Sequence, residues 1–337
     1  MRKTQQQQRM WQRLGSMVLV AIAVVGFFPV AGHAADRDTA EAAHRIIELP
    51  NGASLRVRPA LLTPGGFFEF EVRGAGQEIE SLALRLDQGR FEAFQSSPER
   101  WRGYGALRAS ASAGTAELEV EQRDRQGIVH RHQTTFAIAS KDFPSTQLKV
   151  APKFTQPSAA QKARNKKDQK AFAAAYAAPF GPPLFETNFA NPVAPDARVN
   201  SVFGGRRVFN GKTKSRHLGL DLDGVIGTPI YAAADGVVRM RRDCFYAGNA
   251  VVLSHGAGIF TAYFHLDEFA VEEGQPVRKG QLLGKMGKTG RVTGPHLHLS
   301  AKVGATTFDP AALMAFDFFP EGAQPPVVDV INDGLTP

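Results

Sequence analysis

His217-Leu218-Gly219-Leu220-Asp221 and, further on, His296-Leu297-His298-Leu299 are the stretches from which the fold of this chain is read. Side chains in a strand alternate between two faces. As a strand, the first stretch puts His217, Gly219 and Asp221 on one face and Leu218 and Leu220 on the other, with Gly219 leaving space between the polar pair. The second puts both histidines on one side and both leucines on the other. Two further clusters share the region: Tyr263-Phe264-His265-Leu266, and His255-Gly256 after a strand at 249–254. Residues 200–318 are dense in Gly and Val and read as a β-rich unit, with a loose tail rich in Pro and Asp at 319–337.

Residues 45–140 also read as β. Phe68-Glu69-Phe70-Glu71-Val72 and Leu82-Ala83-Leu84-Arg85-Leu86 alternate, and Gly65-Gly66 and Gly74-Ala75-Gly76 separate the runs. Candidate strands at 54–57, 67–72, 81–86, 90–94, 116–121 and 129–139 predict an Ig-like β-sandwich. Val129-His130-Arg131-His132 puts two histidines on one strand face. With no third ligand close in sequence, they read as the exposed face of an edge strand. Residues 141–199 form a connector with one helix. Ser158-Ala159-Ala160-Gln161 fits a capping box, an Ala-, Lys- and Gln-rich run follows, and Pro179, Pro182 and Pro183 end it. This helix is expected to lie on the surface, with Lys162, Arg164, Lys166, Lys167 and Lys170 as a solvated face. The chain is thus expected to be mainly β: a sandwich, a short helical connector and an antiparallel β-sheet domain.

The start of the chain reads as a targeting signal. Residues 2–13 are basic and polar, 16–30 are apolar, and Ala31-Gly32-His33-Ala34-Ala35 offers small residues around a cut after Ala34. The apolar run is short for the ~20 residues of a membrane span, and Pro29 interrupts it. Residues 1–34 are therefore expected to be a signal peptide, and the mature chain to lie outside the cytoplasm with no stable transmembrane anchor. The formal net charge is +8, but Arg2, Lys3, Arg9 and Arg13 belong to the leader, which leaves +4 on the rest. That balance suits a polyanionic polymer and is too weak to argue for nucleic acid, for which no motif is present. The single cysteine, Cys244, excludes an intrachain disulfide and reads as packing.

Zinc hydrolysis needs three protein ligands with an open position, a base, and a group that stabilises an oxyanion. His217, Asp221, His265, His296 and His298 supply those residue types. One His-Asp-His set can hold the metal and the remaining two histidines can do proton and charge work. The spacing is not that of the His-Glu-x-x-His helix. His255 reads as structural or as supporting a ligand, and Gly287, Gly290 and Gly294 as turn residues beside the site.

From about residue 200 to 310 the chain resembles the catalytic domain of the M23 peptidase family, the lysostaphin or LytM type. The resemblance is carried by Arg216-His217-Leu218-Gly219-Leu220-Asp221-Leu222, Gly227-Thr228-Pro229-Ile230-Tyr231-Ala232, Asp235-Gly236-Val237-Val238, Tyr263-Phe264-His265-Leu266 and Thr289-Gly290-Arg291-Val292-Thr293-Gly294-Pro295-His296-Leu297-His298, in that order. It implies one zinc ion on His217, Asp221 and His298, with His265 and His296 as the catalytic pair, His296 favoured as base and His265 as stabiliser. It implies a peptidoglycan endopeptidase of the periplasm or cell wall. The chain shows no SH3-type wall-targeting pattern, which points to a resident enzyme cutting D-Ala–diaminopimelate crosslinks. The alternatives are a non-catalytic wall-binding or amidase-activating module, and a secreted protease acting on glycine-rich proteins. Degenerate members of the first kind typically lose zinc ligands, and all five residues are present here. The amino-terminal sandwich is expected to position or restrict the enzyme, to bind a regulatory protein, or to leave the groove covered by the connector or by the loop around Asn210.

Overall fold

The computed structural model describes residues 44–320, apart from positions 51, 77, 195 and 212; the leader at 1–34 and the chain beyond 320 lie outside the described residues. Eight strands, β1 (Arg45–Glu48), β2 (Ser54–Arg58), β3 (Phe67–Arg73), β4 (Ile79–Leu86), β5 (Gly89–Ser97), β6 (Arg100–Ala106), β7 (Gly114–Asp124) and β8 (Val129–Ile138), form one sheet of order β1-β2-β3-β6-β5-β4-β7-β8. The mainly β class and the antiparallel pairing are as expected. The arrangement of these strands differs from an Ig-like sandwich: they make one continuous sheet, curled into a half-barrel. Register shifts between Ile79 and Ser81 and between Gln95 and Ser97 bend the ladder. At the far edge, Ala139 N–H donates to the Leu62 carbonyl at 2.8 Å, so the end of β8 meets the segment after β2.

β6 escapes a reading by alternation because Gly103 and Gly105 look like turn residues. They lie opposite Phe70 and Phe68 on β3. A Cβ at either glycine would stand 2.3 Å from the Cζ of its facing ring, so both rings lie across the bare backbone. On the other face of β3, Glu69 takes Arg58 at 2.7 Å and also pairs with Arg102. His130 and His132 are on the edge strand β8; His130 is exposed as expected, its ring 3.3 Å from Asp124, whereas His132 is part-buried with its Nε2 enclosed and unbonded.

The connector carries β9 (Ser145–Leu148) and α1 (Ala159–Tyr176). The capping box at Ser158 and Gln161 forms as predicted. α1 does more than lie on the surface. Ala171, Phe172, Ala175 and Tyr176 cover a sheet face built from Met240, Cys244, Ala250, Val252, Phe260 and Ala262. Buried Asp168 anchors it, accepting from Arg242 Nε at 3.0 Å and from Phe245 N–H at 2.8 Å. Such a helix has one docked face and one wet face; the five basic residues form the wet one, and Arg164 reaches Asp243 at 2.8 Å.

Beyond it run β10 (Val199–Ser201), β11 (Arg206–Phe209), β12 (Thr213–Arg216), β13 (Leu220–Asp223), β14 (Pro229–Tyr231), β15 (Gly236–Cys244), β16 (Gly248–Ser254), β17 (Ile259–Phe269), β18 (Pro276–Val277), β19 (Leu282–Met286), β20 (His296–Val303), β21 (Thr306–Phe308) and α2 (Pro310–Ala315). The main path of this sheet is β10-β13-β20-β17-β16-β15-β18. β12, β11 and β9 make a separate three-stranded sheet in which the connector strand β9 runs parallel to β11. The two β units share a core. Phe185, Phe189, Phe308, Leu313 and Phe318 close the open side of the half-barrel and pack with Phe67, Phe68 and Tyr104. The Phe67 and Phe308 ring centroids are 5.0 Å apart and those of Tyr104 and Phe318 5.3 Å. Phe319, expected at the start of a loose tail, packs against this core. Among the described residues no helix is long and apolar enough to cross a membrane.

Candidate metal centre

Strand pairing assembles the site. β13 and β20 are antiparallel neighbours with Asp221 opposite His298 and Asp223 opposite His296. β17 flanks β20 on its other side, with Phe264 opposite His298. His217 does not share a strand with Asp221, contrary to the alternation reading. β12 ends at Arg216 and β13 begins at Leu220, and the chain passes from the small sheet to the large one between them. The His217 main chain is fixed by its N–H on the Gly205 carbonyl at 2.7 Å and by Gly204 N–H on its own carbonyl at 2.8 Å.

Gly219 belongs to this crossing. A Cβ there would stand 2.4 Å from His298 Nε2 and 2.4 Å from the Leu299 carbonyl. Its missing side chain makes room for the His298 ring, not for an opening between ligands. Gly219→Ala is therefore expected to displace His298 and weaken metal binding by roughly 10–100-fold, the scale of a lost orienting contact. Chelator competition measures this; unchanged affinity would mean that the ring gives way freely.

His265 has φ 67°, a left-handed backbone that a non-glycine residue rarely takes. It sits where β17 shifts register between Leu266 and Glu268. The distortion brings consecutive residues to one site. Phe264 stacks on His298 with centroids 5.3 Å apart and planes at 7°, while the His265 ring lies 5.0 Å from His296 and 6.0 Å from His298. The conformation is held by His265 N–H on the Ala247 carbonyl at 2.9 Å and by Nδ1 on the Thr289 carbonyl at 2.8 Å.

All five expected residues converge here. His217 Nδ1 lies 2.8 Å from the Val202 carbonyl. That oxygen can only accept, so the neutral ring carries its proton at Nδ1 and a lone pair at Nε2. The Nε2 faces Asp221 Oδ1 and His298 Nδ1, each at 3.0 Å, and the last two are 2.8 Å apart. One ring proton, that of His298 Nδ1, can lie among the three atoms. His217 Nε2 and Asp221 Oδ1 then face each other as acceptors in a buried site, a conflict that a cation resolves. The donor atoms of His217, Asp221 and His298 lie within 4.8 Å of one another and are of the types that zinc takes, so the residues fit such an ion.

The charge states suit that role. Burial raises the Asp221 carboxyl, but its contacts with His217 and His298 outweigh this and hold it well below the usual carboxylate range. Burial brings His298 down to about 4 against the pull of Asp221. Burial also lowers His265 well below the ordinary value, with the His298 and His296 charges adding. The histidines His265 and His298 are thus neutral near pH 7, with lone pairs available.

Alternation did not single out Arg207. Its Nη2 lies 2.5 Å from Asp221 Oδ2 and 2.8 Å from Ser201 Oγ, which leaves Oδ1 for the histidines. The signal for it exists only in the small sheet: β11 is held between β12 and β9, and it delivers Arg207 to the acid. The nearby Asn210, expected to cover the groove, is turned to the connector instead. Its Oδ1 accepts from Val150 N–H at 3.0 Å and its Nδ2 donates to the Val150 carbonyl at 2.9 Å. Cys244 is buried and its thiol is pushed up to about 12, first by burial and then by Asp168, consistent with packing.

His255 is structural. Nδ1 meets the Asp235 carbonyl and Nε2 the Thr261 hydroxyl, both at 2.7 Å, and burial brings its pKa to about 4. An exposed histidine takes up its proton near 6.5. Below that value the unfolded state binds a proton that folded His255 refuses down to about 4, so stability falls as pH drops through this window, by on the order of 3 kcal/mol. His255→Gln keeps a donor and an acceptor without the titration. It is expected to flatten that limb in denaturant melts across pH; an unaltered slope would exclude His255 as a source.

Residues 215–310 match the family model of Peptidase family M23. The chain is 48% identical over 108 residues to the Peptidoglycan DD-endopeptidase ShyA of Vibrio cholerae, covering 32% of this chain and 25% of that protein. It is 40% identical over 116 residues to the DD-carboxypeptidase/endopeptidase Mpg of Neisseria meningitidis, covering 34% and 27% respectively. The matches thus span 25% and 27% of the length of these curated relatives. A crystal structure of a Pseudomonas aeruginosa protein assigned to peptidase M23 is 28% identical, with TM-score 0.54, covering 75% of this chain and 94% of that one. That likeness reaches well outside 215–310 and includes part of the architecture ahead of it. Over residues 215–310 the chain is thus similar to peptidase family M23.

Proposed function

We propose that the chain is an exported zinc metalloendopeptidase, of the periplasm or cell wall, that hydrolyses peptide crosslinks of peptidoglycan. The observation that carries this reading is the buried His217–Asp221–His298 cluster, whose facing acceptors call for a cation, with two further histidines beside it. The names of the relatives ShyA and Mpg support the substrate class. Residues 1–34 carry the export part of the proposal.

His217, Asp221 and His298 would hold the ion. When bound, zinc supplies Lewis acidity, polarising an amide carbonyl and bringing the pKa of water to about 7. The protein's own groups do the rest. His296 Nδ1 is 3.0 Å from the Gly294 carbonyl, so its proton is committed there and its Nε2 is a free acceptor, 3.7 Å from Asp221 Oδ1. His296 is the base: Nε2 takes the proton of the water that attacks the amide carbonyl, Asp221 stabilises the imidazolium, and the proton passes to the departing amine. His265 Nδ1 is likewise committed, to Thr289, and its neutral Nε2 orients the reacting groups by accepting a hydrogen bond. Arg207 keeps the second oxygen of Asp221 out of the reaction.

Incubating the full-length protein with crosslinked muropeptide dimers and reading the products by mass spectrometry tests the proposal. Conversion to monomers, lost on adding a zinc chelator, is the expected result and identifies the bond. Intact dimers, from folded protein that still holds zinc, would favour the wall-binding module.

A further inference from the structure

Arg291 is a charged side chain on the loop beside this site, and the mechanism leaves it unused. It stands between two rings, with Cζ 4.5 Å from the Phe209 centroid and 4.8 Å from that of Tyr246. Its main-chain N–H donates to the Tyr246 carbonyl at 2.9 Å, which fixes its base as well. Among the described residues it makes no ion pair. Burial lowers its pKa, the Tyr246 phenol opposes this, and the like charge of Arg207 lowers it further. Arg207 is itself bonded to Asp221. Asp221 is thus taken up by Arg207 and by the histidines, and Arg291 feels Arg207 as a like charge with no acid of its own. The loop bearing Arg291 also touches the centre twice: Thr289 accepts from His265 Nδ1 and Gly294 from His296 Nδ1. Arg291 lies between these two anchor points.

A part-buried cation held rigid by two rings and lacking an anion is poorly explained as a stabilising device, since uncompensated burial of charge costs free energy. It suits a ligand. The guanidinium fork matches a carboxylate in two parallel hydrogen bonds, and a pre-ordered side chain loses little entropy on binding. In a D-Ala–diaminopimelate crosslink the acyl side of the scissile bond bears only a methyl group. The carbon attached to the scissile nitrogen bears a free carboxylate. Resting on the endopeptidase reading above, we propose that Arg291 binds this carboxylate and thereby sets specificity for crosslinks that carry an anion on the amine side of the bond cut.

The test compares two synthetic crosslinked dimers, one with that carboxylate free and one with it as a carboxamide, on the full-length zinc-loaded protein. The wild type is expected to favour the carboxylate in kcat/KM by about 10–100-fold, the scale of a charge-assisted hydrogen bond. Arg291→Gln should lose that factor on the carboxylate substrate alone, so that the preference disappears, and Arg291→Lys should keep part of it. A role confined to holding Phe209 and Tyr246 would depress both substrates equally, and an equal fall overturns the proposal, as does a wild type indifferent to the carboxamide. Calorimetric binding of both dimers to His296→Ala, with and without Arg291→Gln, separates this idea from the endopeptidase reading. Should neither dimer be cut, carboxylate-selective binding that vanishes with Arg291→Gln still supports the site, whereas absent or unselective binding removes it.

Discussion

His217→Ala is expected to lose zinc on dialysis and to leave dimer cleavage reduced by at least about a thousandfold, since the Lewis acid contributes several kcal/mol and each 1.36 kcal/mol is tenfold in rate. The reason lies in how His217 is held. Its Nδ1 proton is fixed on the Val202 carbonyl at 2.8 Å, so Nε2 has no other use than to complete the cluster with Asp221 and His298. Zinc content by elemental analysis, a melting curve and the dimer assay are read together. A folded variant retaining one equivalent of zinc and full cleavage would refute the ligand set. Asp221→Asn should behave similarly, and in addition leaves Arg207 without its acid.

Removing residues 1–140 is expected to destabilise the peptidase unit severely. Phe185, Phe189, Phe308, Leu313 and Phe318 are buried against the half-barrel. Each buried side chain of this kind contributes about 1.5–3 kcal/mol, so exposing the set costs on the order of 10 kcal/mol, comparable with the whole stability of a domain. The truncated chain should be insoluble or should melt without cooperativity. The single change Phe318→Ala in the full-length protein should cost about 3–5 kcal/mol in denaturant melts. A soluble, cooperatively folded fragment that cuts dimers faster than the full-length protein would contradict this, and would revive the view that the amino-terminal unit covers the groove.

Much of the architecture was legible in the residues. The period-two runs at Phe68–Val72 and Leu82–Leu86 became β3 and β4, and Ser158 with Gln161 opened α1 as a capping box. What alternation missed has specific causes. β6 is hidden by Gly103 and Gly105, whose value appears only when Phe70 and Phe68 lie across them. β9 has a parallel partner, β11, far along the chain, and no local pattern announces such pairing. A one-sheet half-barrel and a two-sheet sandwich share the same strand pattern; register shifts and the meeting of Leu62 with Ile138 distinguish them.

By itself, the sequence determined which side chains could do chemistry here: the motifs mark His217, Asp221, His265, His296 and His298 one by one, and a strand's two-residue period puts His296 and His298 on one side. Only the tertiary structure decided how they meet. It turned His217 inward at a crossing between two sheets, forced His265 into a left-handed backbone and brought Arg207 to the same centre. It also merged the two β units into one core. The physical reason is that periodicity is a local property of the chain, whereas register shifts, ring-over-glycine packing and ion pairs between remote strands arise from contacts that exist only after the sheets have formed.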